Sequence, residues 1–238
     1  MIIKAYISRP KMGHVIRALQ MLPSRIRAER YSADEDSGKA EGKLADESKF
    51  NAFVAKNEYG FFLFAERTRY NILLRPKDGF SNVIVDALGD GFSEADAVVV
   101  LETLARAGST FAFAASADEY HHRNRYVRTL GTNQFEAWVG RDLRKYLPGI
   151  YWLTMISKDH ADVLTAATNA LGAVVTQIDA EHWLVKAFDS PNEWQQNAAR
   201  LDGWLTKQPK FFSKNRVVAQ LDAAQNIGIL SEIAAECR

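Results

Sequence analysis

The sequence predicts an α+β fold of antiparallel sheets with helices packed on one face. Three observations point there. The strand-like runs 58–66 (EYGFFLFAE) and 69–75 (RYNILLR) are separated by only two residues, which suggests a hairpin. Apolar residues at helical spacing are confined to a few intervening segments such as 94–107. The stretch 150–206 reads in the order β-α-β-β-α, a layout that keeps helices to one side of an antiparallel sheet.

Taken in order, 2–8 (IIKAYIS) reads as a strand, and 11–22 as a short helix ended by Pro23. Residues 25–31 are a further strand candidate. The segment 32–48 (SADEDSGKAEGKLADES) carries six acids against two lysines, and Leu44 is its one bulky apolar residue. Such a stretch buries little and is expected as an acidic, flexible loop. After the hairpin, Pro76, Asp78 and Gly79 mark a turn and 82–88 (NVIVDAL) reads as a strand. Ser93 is placed to cap a helix over 94–107, with acids in its first turn and Gly108 as the stop. Residues 110–115 form a strand. In 134–139, Phe135, Ala137 and Val139 alternate with Gln134, Glu136 and Trp138, a half-buried strand pattern. Pro148-Gly149 then breaks the chain before strand 150–156, helix 159–171 and strands 173–178 and 182–188. Ser190-Pro191 opens a helix through Thr206, with proline at the permitted first position. The tail is expected to hold one helix from about Val217. The length, 238 residues, suits one domain over 1–238 or two subdomains, 1–117 and 118–238, built as similar α/β units.

Composition narrows function mainly by exclusion. Apolar content of 47% and charged content of 25% are those of an ordinary globular chain rather than a disordered one. A formal charge of +1 gives no global field toward nucleic acid or membrane. The lone cysteine, Cys237, leaves no intramolecular disulfide and no cysteine-rich zinc site. No apolar run approaches the ~20 residues needed to span a bilayer, and the opening residues lack the apolar core of a secretion signal. A cytoplasmic location is the resulting expectation.

Candidate sites are few. His121-His122 is the only histidine pair, and neighbouring residues on a strand would point to opposite faces, which disfavours a shared metal. Arg123, Arg125 and Arg128 surround Tyr126 in a basic cluster whose composition suits a solvated strand face, a protein contact or nucleic acid. The aromatic run 59–64 matches the RNA-stacking strand of RNA-recognition domains poorly, because Glu58 stands near the place of the leading basic residue; a core strand is the simpler reading. Glu136, Asp142, Asp159 and Asp162 follow no nuclease or glycosidase spacing, and no phosphate loop, dinucleotide fingerprint, nucleophile elbow or H-E-x-x-H motif occurs. Trp152, Trp183 and Trp194 are expected to anchor the core, and Trp204 to cap it or meet the tail. No catalytic residue, cofactor or metal ligand is assigned.

The segment Leu147-Pro148-Gly149-Ile150-Tyr151-Trp152-Leu153 resembles a Pro-Gly-aliphatic-Tyr-Trp signature of bacterial immunity-protein families that accompany polymorphic and type VI secreted toxins. The close Asp189-Ser190-Pro191-Asn192-Glu193-Trp194 is similar to theirs, so the resemblance spans about 118–205. It implies an antidote that binds a cognate toxin, in one branch a restriction-endonuclease-like nuclease, and occludes its active site. Families of this kind share no catalytic residues to carry over. The near-neutral charge departs from the acidity of many nuclease inhibitors; only 32–48, at net −4, could imitate a phosphate backbone. Within this reading the toxin contact is expected at Asp34, Glu35, Asp36, Arg123, Arg125 and Arg128. Two alternatives stay open. One is a nucleic-acid-associated defence protein using the 121–145 basic cluster; the other is an enzyme of unrecognised type.

Overall fold

A computed structural model describes residues 1–75, 79–87 and 92–237. Its elements, in chain order, begin with β1 (Ile2–Ser8), α1 (Met12–Leu19), β2 (Arg30–Ser32), β3 (Gly42–Lys43) and α2 (Glu47–Lys56). Then come β4 (Gly60–Phe64), β5 (Thr68–Leu73), β6 (Phe80–Ala87), α3 (Glu94–Arg106) and β7 (Phe111–Ala115). The second half holds α4 (Ala117–Asn124), β8 (Arg125–Leu130), β9 (Asn133–Trp138), β10 (Leu153–Ser157) and α5 (Asp162–Leu171). It closes with β11 (Val174–Gln177), β12 (His182–Lys186), α6 (Trp194–Thr206), α7 (Lys214–Ala223) and α8 (Ile227–Glu236).

Ten strands form one antiparallel sheet in the order β11-β12-β10-β7-β1-β6-β5-β4-β2-β3, and β8-β9 form a separate hairpin. The fold is therefore α+β, as the sequence predicts. Register settles what each face carries. Ala5 pairs with Ala112 and Val83, Ala112 with Met155, and Val83 with Ile72, which makes an apolar row with small residues at its centre. Helices of the first half lie on that face. The rings of Phe50 and Phe53 on α2 meet Phe61, which pairs with Ile72. Tyr70, paired with Val85 on the same face, donates its hydroxyl to the Ile26 carbonyl, and the neighbouring Arg25 pairs with Asp96 of α3 at 2.6 Å. The opposite face presents Tyr6, Phe111 and Phe113. There Phe113 stacks on Tyr151 at 3.9 Å and meets Tyr120 of α4 at 5.4 Å, while α6 docks on α4 and α5. Helices α1–α3 and α4–α6 thus use opposite faces of one sheet, while α7 and α8 pack on the β8-β9 hairpin.

Local chemistry explains most boundaries. α3 begins with a complete capping box, in which the Ser93 hydroxyl accepts the Asp96 N–H and the Asp96 carboxylate accepts the Ser93 N–H. Gly172 ends α5 in the left-handed conformation at φ 62°, where glycine is unstrained. Three expectations change. The 32–48 segment holds more regular structure than a loop: Asp36 caps a 3-10 turn at Ser37–Lys39, β3 follows, Asp46 caps α2, and Leu44 is buried. Residues 117–124 are helical rather than extended, because Ser116 accepts the Glu119 N–H and the charges run acid-first, base-last along the turn. The tail is two helices, with Asn226 capping the second, rather than one. Pro76 and Asp78 of the expected turn, and Leu88 at the expected strand end, lie outside the described residues.

Candidate functional site

Helix α4 positions a buried ionic network. Arg123 sits one turn after Glu119 and donates its Nε to that carboxylate at 3.3 Å; both side chains are almost wholly buried. The Arg123 guanidinium also donates to Asp202 of α6, and His122 meets the other Asp202 oxygen at 2.7 Å. The second Glu119 oxygen accepts the Trp152 backbone N–H at 3.3 Å. Beside it, the Tyr151 hydroxyl donates to Asn124 Oδ1, and Asn124 donates to the Val139 carbonyl at 3.0 Å. One guanidinium between two carboxylates leaves Glu119 under-compensated, and burial pushes its carboxyl up to about 7 against the pull of Arg123. The Asp202 carboxyl, nearer solvent, is held below its ordinary range by His122 and Arg123 in spite of partial burial. The Pro-Gly-Ile-Tyr-Trp residues are thereby structural: Ile150, Tyr151 and Trp152 are all buried and join α4 to β10.

This network places the sequence-predicted arginines. Arg123, expected on a solvated face, lies inside the protein, because its partners converge from α4 and α6. Arg128 donates to the Leu221 and Ala224 carbonyls at 2.8 Å each, closing the C-terminus of α7. Arg125 forms a half-exposed ion pair with Glu136 at 2.8 Å across the β8-β9 hairpin. The three arginines therefore do not form one basic surface. Asp34, Glu35 and Asp36 do stay together, on the turn between β2 and β3. Asp34 accepts the Asp36 N–H at 2.9 Å and pairs with Lys39 at 2.7 Å, Asp36 accepts the Gly38 N–H at 2.8 Å, and Glu35 lies 3.5 Å from Arg69. Lys39 holds the Asp34 carboxyl below its ordinary range. The acidic turn is consequently a hydrogen-bonded array at the sheet edge, with Glu35 and Asp36 exposed.

A second place was not legible as a site in the sequence. An open cleft of about 650 Å³ lies between the sheet and the β8-β9 hairpin. Its sheet wall is Tyr6 and Asn82, paired across β1 and β6, with Phe80; its hairpin wall is Glu136, Ala137 and Trp138. Arg75, Arg141, Asp142 and Arg144 complete the lining. Two carboxylates are neutralised locally, Glu136 by Arg125 and Asp142 by Arg144 at 2.7 Å. Arg141 stacks over the Trp138 ring at 5.7 Å, and neither it nor Arg75 has a carboxylate partner among the described residues. Behind the sheet wall, Lys4 is 2% exposed, with its ammonium 5.0 Å from the Tyr6 ring centre. Burial, reinforced by the charges of Arg141 and Arg75, holds its amine well below the ordinary lysine range. The Tyr6 hydroxyl and Asn82 Oδ1 are buried with no hydrogen-bond partner among the described residues. A lysine in the middle of the otherwise apolar run IIKAYIS is the one sequence signal that pointed here.

Among the described residues, no three histidine, cysteine or acidic side chains converge as metal ligands, and no helix is long and apolar enough to cross a membrane. Comparison of the chain with protein-family models and with curated proteins finds no match to either.

Proposed function

We propose that this chain is a toxin-neutralising binding protein, an immunity protein that holds a cognate nuclease toxin by covering its active site. The resemblance over 118–205 names the class. The structural observation that carries the reading is the pre-organised acidic turn. Three adjacent carboxylates are held at the sheet edge by their own N–H acceptances and by Lys39 and Arg69, so little side-chain ordering is left to cost affinity on docking. A cationic nuclease site is the natural counterpart of such an array, and a standard interface of roughly 1,600 Å² around it would suffice.

The coherence of the resembling segment supports the same reading. Its beginning (Glu119, Asn124), middle (Tyr151, Trp152) and end (Asp202) meet in one buried network, a rigid scaffold from which variable surface loops could address different partners. The nucleic-acid alternative loses Arg123 and Arg128, two residues of its 121–145 basic cluster, to internal hydrogen bonds.

The test is affinity capture of the tagged protein from its host, with and without nuclease treatment, followed by a protection assay. The expected outcome is one stoichiometric, nuclease-resistant protein partner that is toxic alone and harmless with this chain. Joint reversal of Asp34, Glu35 and Asp36 to lysine should abolish protection. Recovery of nucleic acid, partners lost on nuclease treatment, or full protection by the reversed variant would each refute the proposal as stated.

A further inference from the structure

We infer that the cleft between Tyr6 and Trp138 is a binding site for a phosphate monoester, with Arg75 and Arg141 as the phosphate's counter-charges and the aromatic walls receiving its organic part. This goes beyond the antidote reading and stands or falls separately from it.

Of the cationic groups at the cleft, Arg144 is paired with Asp142, and the nearby Arg125 with Glu136. Arg75 and Arg141 remain without a carboxylate among the described residues, which leaves two unneutralised guanidinium charges at the cleft, the complement of a dianion. Guanidinium matches phosphate oxygens bidentately, and Arg141 lies over the Trp138 ring at 5.7 Å, on the hairpin wall of the cleft.

Buried polar groups supply the second line. A tyrosine hydroxyl and an amide oxygen enclosed without partners are costly to a fold unless something satisfies them. Tyr6 and Asn82 are such groups, they stand side by side through the β1-β6 pairing, and both line this cleft. The hydroxyl can donate to a phosphate oxygen, and the amide oxygen can accept from a ligand hydroxyl. Lys4 is the third buried polar group, seated behind Tyr6 with no acid to neutralise it among the described residues. An arriving dianion would supply the counter-charge that Lys4 lacks. The cleft volume, about 650 Å³, is larger than one phosphate requires and falls in the range of small-molecule sites. Phe80, Tyr6 and Trp138 give that remaining space aromatic walls.

The experiment titrates the purified full-length protein with inorganic phosphate, phenyl phosphate and malonate, each against sodium chloride at matched ionic strength. Trp138 indole and Tyr6 ring resonances are followed by NMR, and heats by calorimetry. Saturable one-site binding of both phosphates is expected, with phenyl phosphate at least tenfold tighter. Arg141→Gln and Arg75→Gln should each weaken it about tenfold or more, while Arg17→Gln, a surface change on α1, should leave it unaltered. Responses equal to those with chloride, tighter binding of malonate than of phosphate, or affinity unchanged in both arginine variants would overturn the assignment.

Discussion

Replacing Arg123 with methionine isolates the buried network. Methionine has a similar length and no charge, so packing is largely kept while Glu119 and Asp202 lose their shared cation. Glu119 is wholly buried and has no other cation within ion-pair distance among the described residues; Asp202 keeps His122. Removing one member of a buried ion pair costs about 3–5 kcal/mol, because the partner is left charged in a low-dielectric interior. At pH 8 Glu119 can relieve that penalty by taking up a proton, which from about 7 costs on the order of 1–2 kcal/mol, so with the lost hydrogen bonds the loss should be about 2–4 kcal/mol. At pH 5 the Glu119 carboxyl, already raised to about 7 in the intact protein, is neutral, and the loss should shrink to about 1–2 kcal/mol, the value of the lost hydrogen bonds. Urea unfolding followed by tryptophan fluorescence measures both. With a slope of about 3 kcal/mol per molar, the midpoint should fall by about 1 M at pH 8 and by about 0.5 M at pH 5. Adding Glu119→Gln to Arg123→Met should restore roughly 2 kcal/mol at pH 8. A loss below about 1 kcal/mol at pH 8, or equal losses at the two pH values, would refute the view that Arg123 holds a charged Glu119 inside the protein.

The intact protein should itself report Glu119. Its carboxyl titrates higher folded, at about 7, than at its ordinary 4.5, so the folded state binds the extra proton between those values. This contribution is fully present below about pH 4.5 and is lost as pH rises through 7, on the order of 3 kcal/mol in all. Glu119→Gln should flatten that part of a stability-versus-pH curve. Tyr151→Phe removes the hydroxyl that Asn124 Oδ1 accepts and should cost about 1–3 kcal/mol in chemical denaturation. Two glycine changes should diverge. Gly140, at φ +69°, would place a new Cβ 2.2 Å from the Phe212 ring, so Gly140→Ala should cost about 2–5 kcal/mol. Gly131, at φ +62°, faces open space, so Gly131→Ala should cost only about 1 kcal/mol. Equal midpoints for the two glycine variants would sink the steric argument.

What could be read without the structure was local. The β-α-β-β-α order of 150–206, the Ser93 cap, the glycine stop after α5 and the alternation of Phe135, Ala137 and Val139 are set by residues a few positions apart, and all are found. Where local signals were missed, they were weak ones. The helix at 117–124 is a short polar turn with little apolar periodicity, and its cap and charge gradient were outvoted by a basic cluster that reads as a strand face. The tail's second helix rests on one asparagine cap.

Tertiary structure decided the rest, because burial and proximity depend on contacts far apart in the chain. Arg123 reads as a solvent-facing arginine until Asp202, 79 residues on, arrives from α6 to hold it inside. Arg128 joins no partner surface because the α7 carbonyls, 93 and 96 residues away, claim it. The cleft draws on β1, β6 and the chain after β9, whose residues meet only when the β8-β9 hairpin folds back over the sheet. Lys4 interrupts an apolar strand, yet nothing local says that it sits beside Tyr6 at a cleft lined by Arg75 and Arg141. The acidic turn is the intermediate case: its composition is plain in the sequence, but its fixed shape depends on Arg69, a residue of β5 that only sheet pairing brings beside it.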